Sequence, residues 1–142
     1  MKLQDIYNIL VESKIGSFSG AGVIFFDGKC ILMLENFNKR WALPGGKPYP
    51  DESPLDTARR ECIEEVGSCP GNLIDNIRFV NRGRVFYSYI SIVKEQFDVT
   101  LSDEHKNYKW VELNNIKKLN LNKNIQKNLN KIIESLQKIN LE

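Results

Sequence analysis

Residues 45 to 67 read Gly45-Gly46-Lys47-Pro48-Tyr49-Pro50-Asp51-Glu52-Ser53-Pro54-Leu55-Asp56-Thr57-Ala58-Arg59-Arg60-Glu61-Cys62-Ile63-Glu64-Glu65-Val66-Gly67, a glycine turn followed by an acidic helix. Ser53 can accept the free amide hydrogens of a first turn. Pro54 suits the first helical position, where no amide donor is needed, and Asp56 completes a capping-box-like start. The helix is expected to begin at Ser53 or Pro54. Gly67 is its natural stop, because glycine takes the left-handed backbone conformation without steric cost, and Pro70 blocks a restart. At about 100° per residue, Leu55, Ala58, Cys62 and Val66 fall within roughly 80° of one another, a stripe able to pack on a sheet. Glu61, Glu64 and Glu65 occupy the adjoining arc. Carboxylates at these spacings repel by a few tenths of a kcal/mol per pair. A solvated acidic face is one reading; the glycine turn and the spacing favour the other, a site for a divalent cation.

The stretch resembles the Nudix box, G-x5-E-x7-R-E-U-x-E-E-x-G-U with U a bulky apolar residue. Gly46, Glu52, Arg60, Glu61, Glu64, Glu65 and Gly67 meet every fixed position. Cys62 departs mildly at the first apolar position and Ser68, polar, at the last; neither change removes a chemical group of the box. The preceding Trp41-Ala42-Leu43-Pro44 is also typical of the Nudix hydrolase family. The resemblance implies an α+β fold of that family's kind, an α/β/α sandwich around a central mixed β-sheet.

The chain has 142 residues, which suits a single domain over 1–142 with one core. Lys plus Arg number 20 against 18 Asp plus Glu, a balance that does not single out nucleic acid and suits small anionic ligands equally. Cys30, Cys62 and Cys69 are odd in number and lack the paired spacing of a zinc site, so they read as reduced thiols. The amino terminus has no basic head before an apolar run, and no segment approaches the ~18 apolar residues that cross a bilayer. The expected compartment is therefore the cytoplasm, with no membrane partner.

Elsewhere, Ile6, Ile9 and Leu10 predict a short amphipathic helix over residues 4–13. Apolar runs at 21–26 and 30–34 around Asp27-Gly28 predict a β-hairpin with both strands buried. Trp41-Ala42-Leu43 is strand-like, and Pro44-Gly45-Gly46 is expected to break it. Two strands are expected within residues 76–94 around Asn81-Arg82-Gly83-Arg84. A further strand or extended loop is expected at 97–101, a strand at 108–113 and an amphipathic helix at 122–139. All five prolines lie between Pro44 and Pro70, so the acidic stretch is the most conformationally restricted part of the chain.

Oxygen-only ligands favour Mg2+, with Mn2+ as an alternative, and such an ion commonly leaves part of its shell to substrate phosphates and water. Carried over position by position, the resemblance assigns metal binding to Glu61, Glu64, Glu65 and the carbonyl of Gly45, with Glu61 and Glu64 also catalytic. It assigns structural roles to Gly46, Glu52, Arg60 and Gly67. The implied reaction is attack of water on a phosphorus of a pyrophosphate linkage. The base that orients this water lies in the box or on the later Ser102-Asp103-Glu104-His105 loop, where Glu104 is preferred to Asp103. His105, the only histidine, reads as structural. Arg82 and Arg84 can grip a phosphate tail, because arginine binds phosphate in bidentate fashion; solvated turn residues are the alternative. Phe37, Trp41, Tyr87 and Tyr89 can stack on a base, yet none is assigned that role. Lys123, Lys127, Lys131 and Lys138 fit a solvated helix face as well as an RNA contact.

Within the family, the chain has no proline after Pro70, which argues against ADP-ribose cleavage, and it lacks the extra motifs of the NADH- and coenzyme A-cleaving members. The expectation is a pyrophosphohydrolase acting on a small nucleotide, foremost a nucleoside or deoxynucleoside triphosphate. RNA carrying a 5′ cap or 5′ triphosphate is the alternative substrate. A non-catalytic nucleotide sensor is the competing class, and the retained glutamates argue against it. Small members are often homodimers, but no apolar stripe in the sequence argues for one.

Overall fold

Two apolar runs without polar interruption form the two strands at the centre of the sheet. The structure is a computed structural model that describes residues 2–3 and 18–139. The helix expected over residues 4–13 lies outside the described residues. Strands β1 (Gly20–Phe26) and β2 (Cys30–Asn36) meet through the Asp27-Gly28 turn. Asp27 Oδ1 accepts from the amides of Lys29 (2.9 Å) and Cys30 (2.6 Å). The expected hairpin pairs at its base, with Phe26 opposite Ile31. Beyond that point β1 runs parallel to β6 (Arg84–Ile92), whereas β2 pairs antiparallel with β7 (His105–Glu112) and with β3 (Trp41–Ala42). β5 (Leu73–Asn81) completes the order β3-β2-β1-β6-β5, a mixed sheet.

Burial on both faces explains the uninterrupted runs, since a strand covered on both sides has no polar face to show. Val23 and Phe25 of β1, with Leu32 and Leu34 of β2, pack against Ala58, Cys62 and Val66 of helix α1 (Pro54–Val66). Their neighbours Ile24, Phe26, Ile31 and Met33 face the other way. There they meet Ile116 of a 3-10 helix (Leu113–Lys118) and Ile125, Ile132 and Leu136 of helix α2 (Lys123–Gln137). Each such side chain contributes roughly 1.5–3 kcal/mol on burial. A helix lies on each side of the sheet, the α/β/α arrangement that the resemblance implies.

The caps follow the sequence. Ser53 Oγ accepts from Asp56 N at 3.1 Å, and Gly67 closes α1 at φ 88°. Asn122 Oδ1 caps α2 by accepting from Asn124 N and Ile125 N. The β5–β6 turn carries Arg82 at φ 53° and Gly83 at φ 76°. Residues 97–101 form no strand. They run as an extended loop, with Phe97 packed edge-on to Phe25 and Trp110. The glycine turn differs from expectation: Gly45–Gly46 forms a two-residue strand, β4, antiparallel to β1. A side chain on Gly22 would strike the Pro44 carbonyl, so this pairing needs glycine in β1. Among the described residues no helix is long and apolar enough to cross a membrane.

Candidate active site

The site is assembled where α1 packs against β4, and Arg60 is its hub. Its Nε donates to Glu52 Oε2 (2.8 Å) and its Nη2 to Glu52 Oε1 (3.0 Å) and to the Lys47 carbonyl (2.8 Å). Its Nη1 donates to Glu61 Oε1 (2.9 Å) and reaches Glu64 at 3.3 Å. The Tyr49 ring lies 3.6 Å from the guanidinium carbon, a cation–π contact. Glu52 accepts further bonds from Thr57 Oγ1 (2.6 Å) and Tyr49 N (3.0 Å). The Arg60 hydrogen bonds hold the Glu52 carboxyl at about 2, far below its usual range. Loop 47–52 is thereby tied to the helix that carries the other carboxylates.

Those carboxylates sit in different surroundings. Glu64 is about half exposed, with 49% of its side chain accessible. Glu61 packs against Gly46, where a Cβ would strike the carboxylate, and burial raises its pKa despite the pull of Arg60. Glu65, on the acidic arc at about 100° per residue, is only 3% exposed; it lies about 20° from Ala58 and shares the buried face. Leu55, expected in that face, is half-buried instead. Glu65 Oε1 accepts from Gly45 N at 2.8 Å, and its Oε2 lies 3.2 Å from His105 Nε2. Burial pushes the Glu65 carboxyl up to about 8, with the charges of Glu61, Glu104 and Glu64 adding to the rise. Burial likewise lowers the His105 pKa.

His105 reaches Glu65 because β7 slips register against β2 at Glu35/Asn36, a bulge that sets His105 opposite Asn36. Its Nδ1 is buried and has no hydrogen-bond partner among the described residues. The loop before it is fixed by helix termination: Thr100 N and Ser102 N donate to the Val66 and Glu65 carbonyls (3.0 and 3.2 Å). Gly45, Glu65, Glu104 and His105 all line one cavity of about 280 Å³. Leu43, Phe86 and three asparagines, Asn36, Asn122 and Asn124, line it as well.

The structure therefore gathers Gly45, Glu65 and Glu104 at one cavity and joins Glu52, Glu61 and Glu64 through Arg60. Arg82 and Arg84 lie apart on the β5–β6 turn and line neither this cavity nor the cleft beside it. Phe37, Trp41, Tyr87 and Tyr89 do not line the cavity; its aromatic residues among those described are Phe79 and Phe86, stacked at an interplanar angle of 10°. Sequence reasoning passed over Tyr49, Thr57 and the asparagines. Only Asn122 carried a signal, as an asparagine at the start of the amphipathic stretch 122–139.

Glu61, Glu64, Glu65 and the Gly45 carbonyl offer hard oxygen donors. Among the described residues no three acidic, histidine or cysteine side chains already form a metal cage. Arg60 Nη1 instead stands between Glu61 and Glu64. A buried acid whose proton is retained by burial, beside two carboxylates sharing one guanidinium, is a cluster short of positive charge. The residues fit a cation.

The NUDIX domain family profile matches residues 17–135. The chain belongs to the Nudix family of hydrolases. It is 30% identical over 92 residues to the bis(5′-nucleosyl)-tetraphosphatase (asymmetrical) of Sus scrofa, a match spanning 58% of this chain and 63% of the pig enzyme. It is 31% identical over 100 residues to the nucleoside triphosphatase NudI of Klebsiella pneumoniae, spanning 61% of this chain and 71% of that protein. Among solved structures, the Nudix hydrolase RenU of M. smegmatis superposes with a TM-score of 0.75 at 18% identity, covering 89% of each chain. That likeness concerns the fold.

Proposed function

We propose that this chain is a metal-dependent pyrophosphohydrolase that cleaves a nucleoside diphosphate linked to another group. A nucleoside or deoxynucleoside triphosphate is the simplest such substrate, and dinucleoside polyphosphates present the same linkage. The observation that carries the reading is the convergence of Gly45, Glu65, Glu104 and His105 on one cavity beside the Arg60-linked glutamates.

Glu61, Glu64, Glu65 and the Gly45 carbonyl would hold Mg2+ or Mn2+. Such an ion supplies charge that polarises the phosphoryl oxygens and offsets that of the departing phosphate. Arg60 acts on this chain's own residues: it locks Glu52 and Lys47 against α1, so the glycine turn and the helix keep one spacing. Gly45 N orients Glu65. Glu104 is the group on the cavity wall best placed to orient a water and take its proton, because it lines the cavity and makes no ion pair among the described residues. His105 Nδ1, which has no hydrogen-bond partner among the described residues, offers a further polar contact to whatever enters. Leu43 and Phe86 supply an apolar wall and the asparagines a hydrogen-bonding one, the mixture a nucleobase requires.

The test is product release from a panel of nucleoside triphosphates, dinucleoside polyphosphates, nucleotide sugars and triphosphorylated RNA with Mg2+, for the native chain and for Glu64→Gln. The expected result is turnover of one nucleotide class that falls by about a hundredfold or more in the variant. Turnover indifferent to Glu64→Gln would remove the box from the chemistry. Nucleotide binding without turnover would move the chain to the sensor class.

A further inference from the structure

Beside the catalytic cavity, and sharing Asn36, Asn122 and Asn124 with it, lies a second cleft of about 380 Å³. Its remaining lining includes Arg40, Lys123 and Lys127, and among the described residues no carboxylate lines it. Arg40 is delivered by the tight β2–β3 turn, where Asn36 N donates to the Arg40 carbonyl and Lys39 sits at φ 67°. The lysines come from the start of α2. None of the three has an ion-pair partner among the described residues, although Lys29, Arg60 and His105 each face an acid.

This arrangement costs stability. The amino-terminal end of a helix carries partial positive charge, so a basic residue in the first turn is disfavoured. α2 begins with Lys123 and has no acid in its first turn. Lys123 and Lys127, four apart on the helix, also repel one another. Local rules broken together at the wall of a cleft mark a site whose compensation comes from a ligand. An anion would answer the arginine and both lysines at once.

We propose that this cleft binds a phosphate-bearing portion of the substrate beyond the nucleotide held in the catalytic cavity. The inference rests on the pyrophosphohydrolase reading and gives it a preference. Dinucleoside polyphosphates, whose second half carries its own phosphates, occupy both compartments; a mononucleoside triphosphate occupies one.

The experiment compares the native chain with K123Q/K127Q and with R40Q in two assays. The first measures KM with Mg2+ for a dinucleoside tetraphosphate and for the matching nucleoside triphosphate. The expected change is a rise of about tenfold in the dinucleoside KM relative to the triphosphate KM. The second measures binding of inorganic tripolyphosphate without metal by calorimetry, and the expected result is binding to the native chain that weakens about tenfold in both variants. Equal KM changes for the two substrates, or tripolyphosphate binding that ignores the substitutions, would overturn the cleft assignment. If the native chain turns over nothing while tripolyphosphate binding depends on Arg40, Lys123 and Lys127, the cleft stands and the catalytic reading falls. Should RNA ending in a 5′ triphosphate alone show the KM effect, the small-molecule assignment is wrong.

Discussion

Replacing Glu65 by Gln should make the metal-free protein more stable at alkaline pH. Glu65 is buried, and its carboxyl is pushed from 4.5 up to about 8. A folded-state value above the unfolded one means a contribution fully present below about 4.5 and lost as the pH rises through about 8. Between about pH 5.5 and pH 8 the unfolded chain has already released this proton and the folded chain gives it up last, so native stability declines by on the order of 3 kcal/mol. Glutamine mimics the protonated form: it can still accept from Gly45 N and face His105, and it has nothing to ionise. The assay is denaturant unfolding in chelator at the two pH values for both proteins. The quantity of interest is the change in their difference, in which groups common to both cancel. The variant should gain on the native chain by on the order of 3 kcal/mol across the interval. A native-minus-variant difference that does not move with pH would refute the claim that the cluster lacks positive charge. Mg2+ should stabilise the native chain more at the higher pH, since a ligand that binds only the folded, ionised state adds its binding free energy to folding, and the Gln variant should lose most of that gain.

Two further outcomes follow from the geometry. Gly46→Ala places a methyl group against the Glu61 carboxylate; unfolding titration should show a loss of about 1–3 kcal/mol, and turnover should fall with it, whereas native stability and rate would mean that the turn and helix are not in this contact. For Glu52, whose carboxyl is held at about 2 by Arg60, the stabilisation is present above about 4.5 and is lost as the pH falls toward about 2. Glu52→Gln should therefore flatten the acid limb of the stability curve followed by circular dichroism, and an acid limb identical to the native one would contradict the pairing.

The box helix was legible because its information is local. Ser53, Pro54 and Gly67 fix its ends through capping alone, and the apolar runs of β1 and β2 announce strands covered on both faces. What was not legible is set by pairing between distant residues. The parallel ladder of β1 with β6, the β4 bridge and the bulge opposite His105 join segments far apart in sequence, and no spacing encodes them. Nor does spacing bring together Arg40 of the β2–β3 turn with Lys123 and Lys127 of α2, which line one cleft. Glu65 is an intermediate case. Its wheel position placed it beside Ala58, but a glutamate there reads as solvated until its partners are known.

Those partners depend on how α1 stops. A helix end leaves its last carbonyls without partners inside the helix. Here Gly67 turns the chain away, and the carbonyls of Glu65 and Val66 are satisfied from outside by Ser102 N and Thr100 N. The segment that meets this demand leads directly into Glu104 and His105. The second carboxylate of the cavity is thus positioned by backbone bonds that the helix terminus requires in any case. Its location rests on those two amides and on the Ser102 turn, whose hydroxyl accepts from Glu104 N and whose carbonyl accepts from His105 N, bonds that many loop sequences could make, so Ser102-Asp103-Glu104-His105 carries little signal of its own while the box carries much.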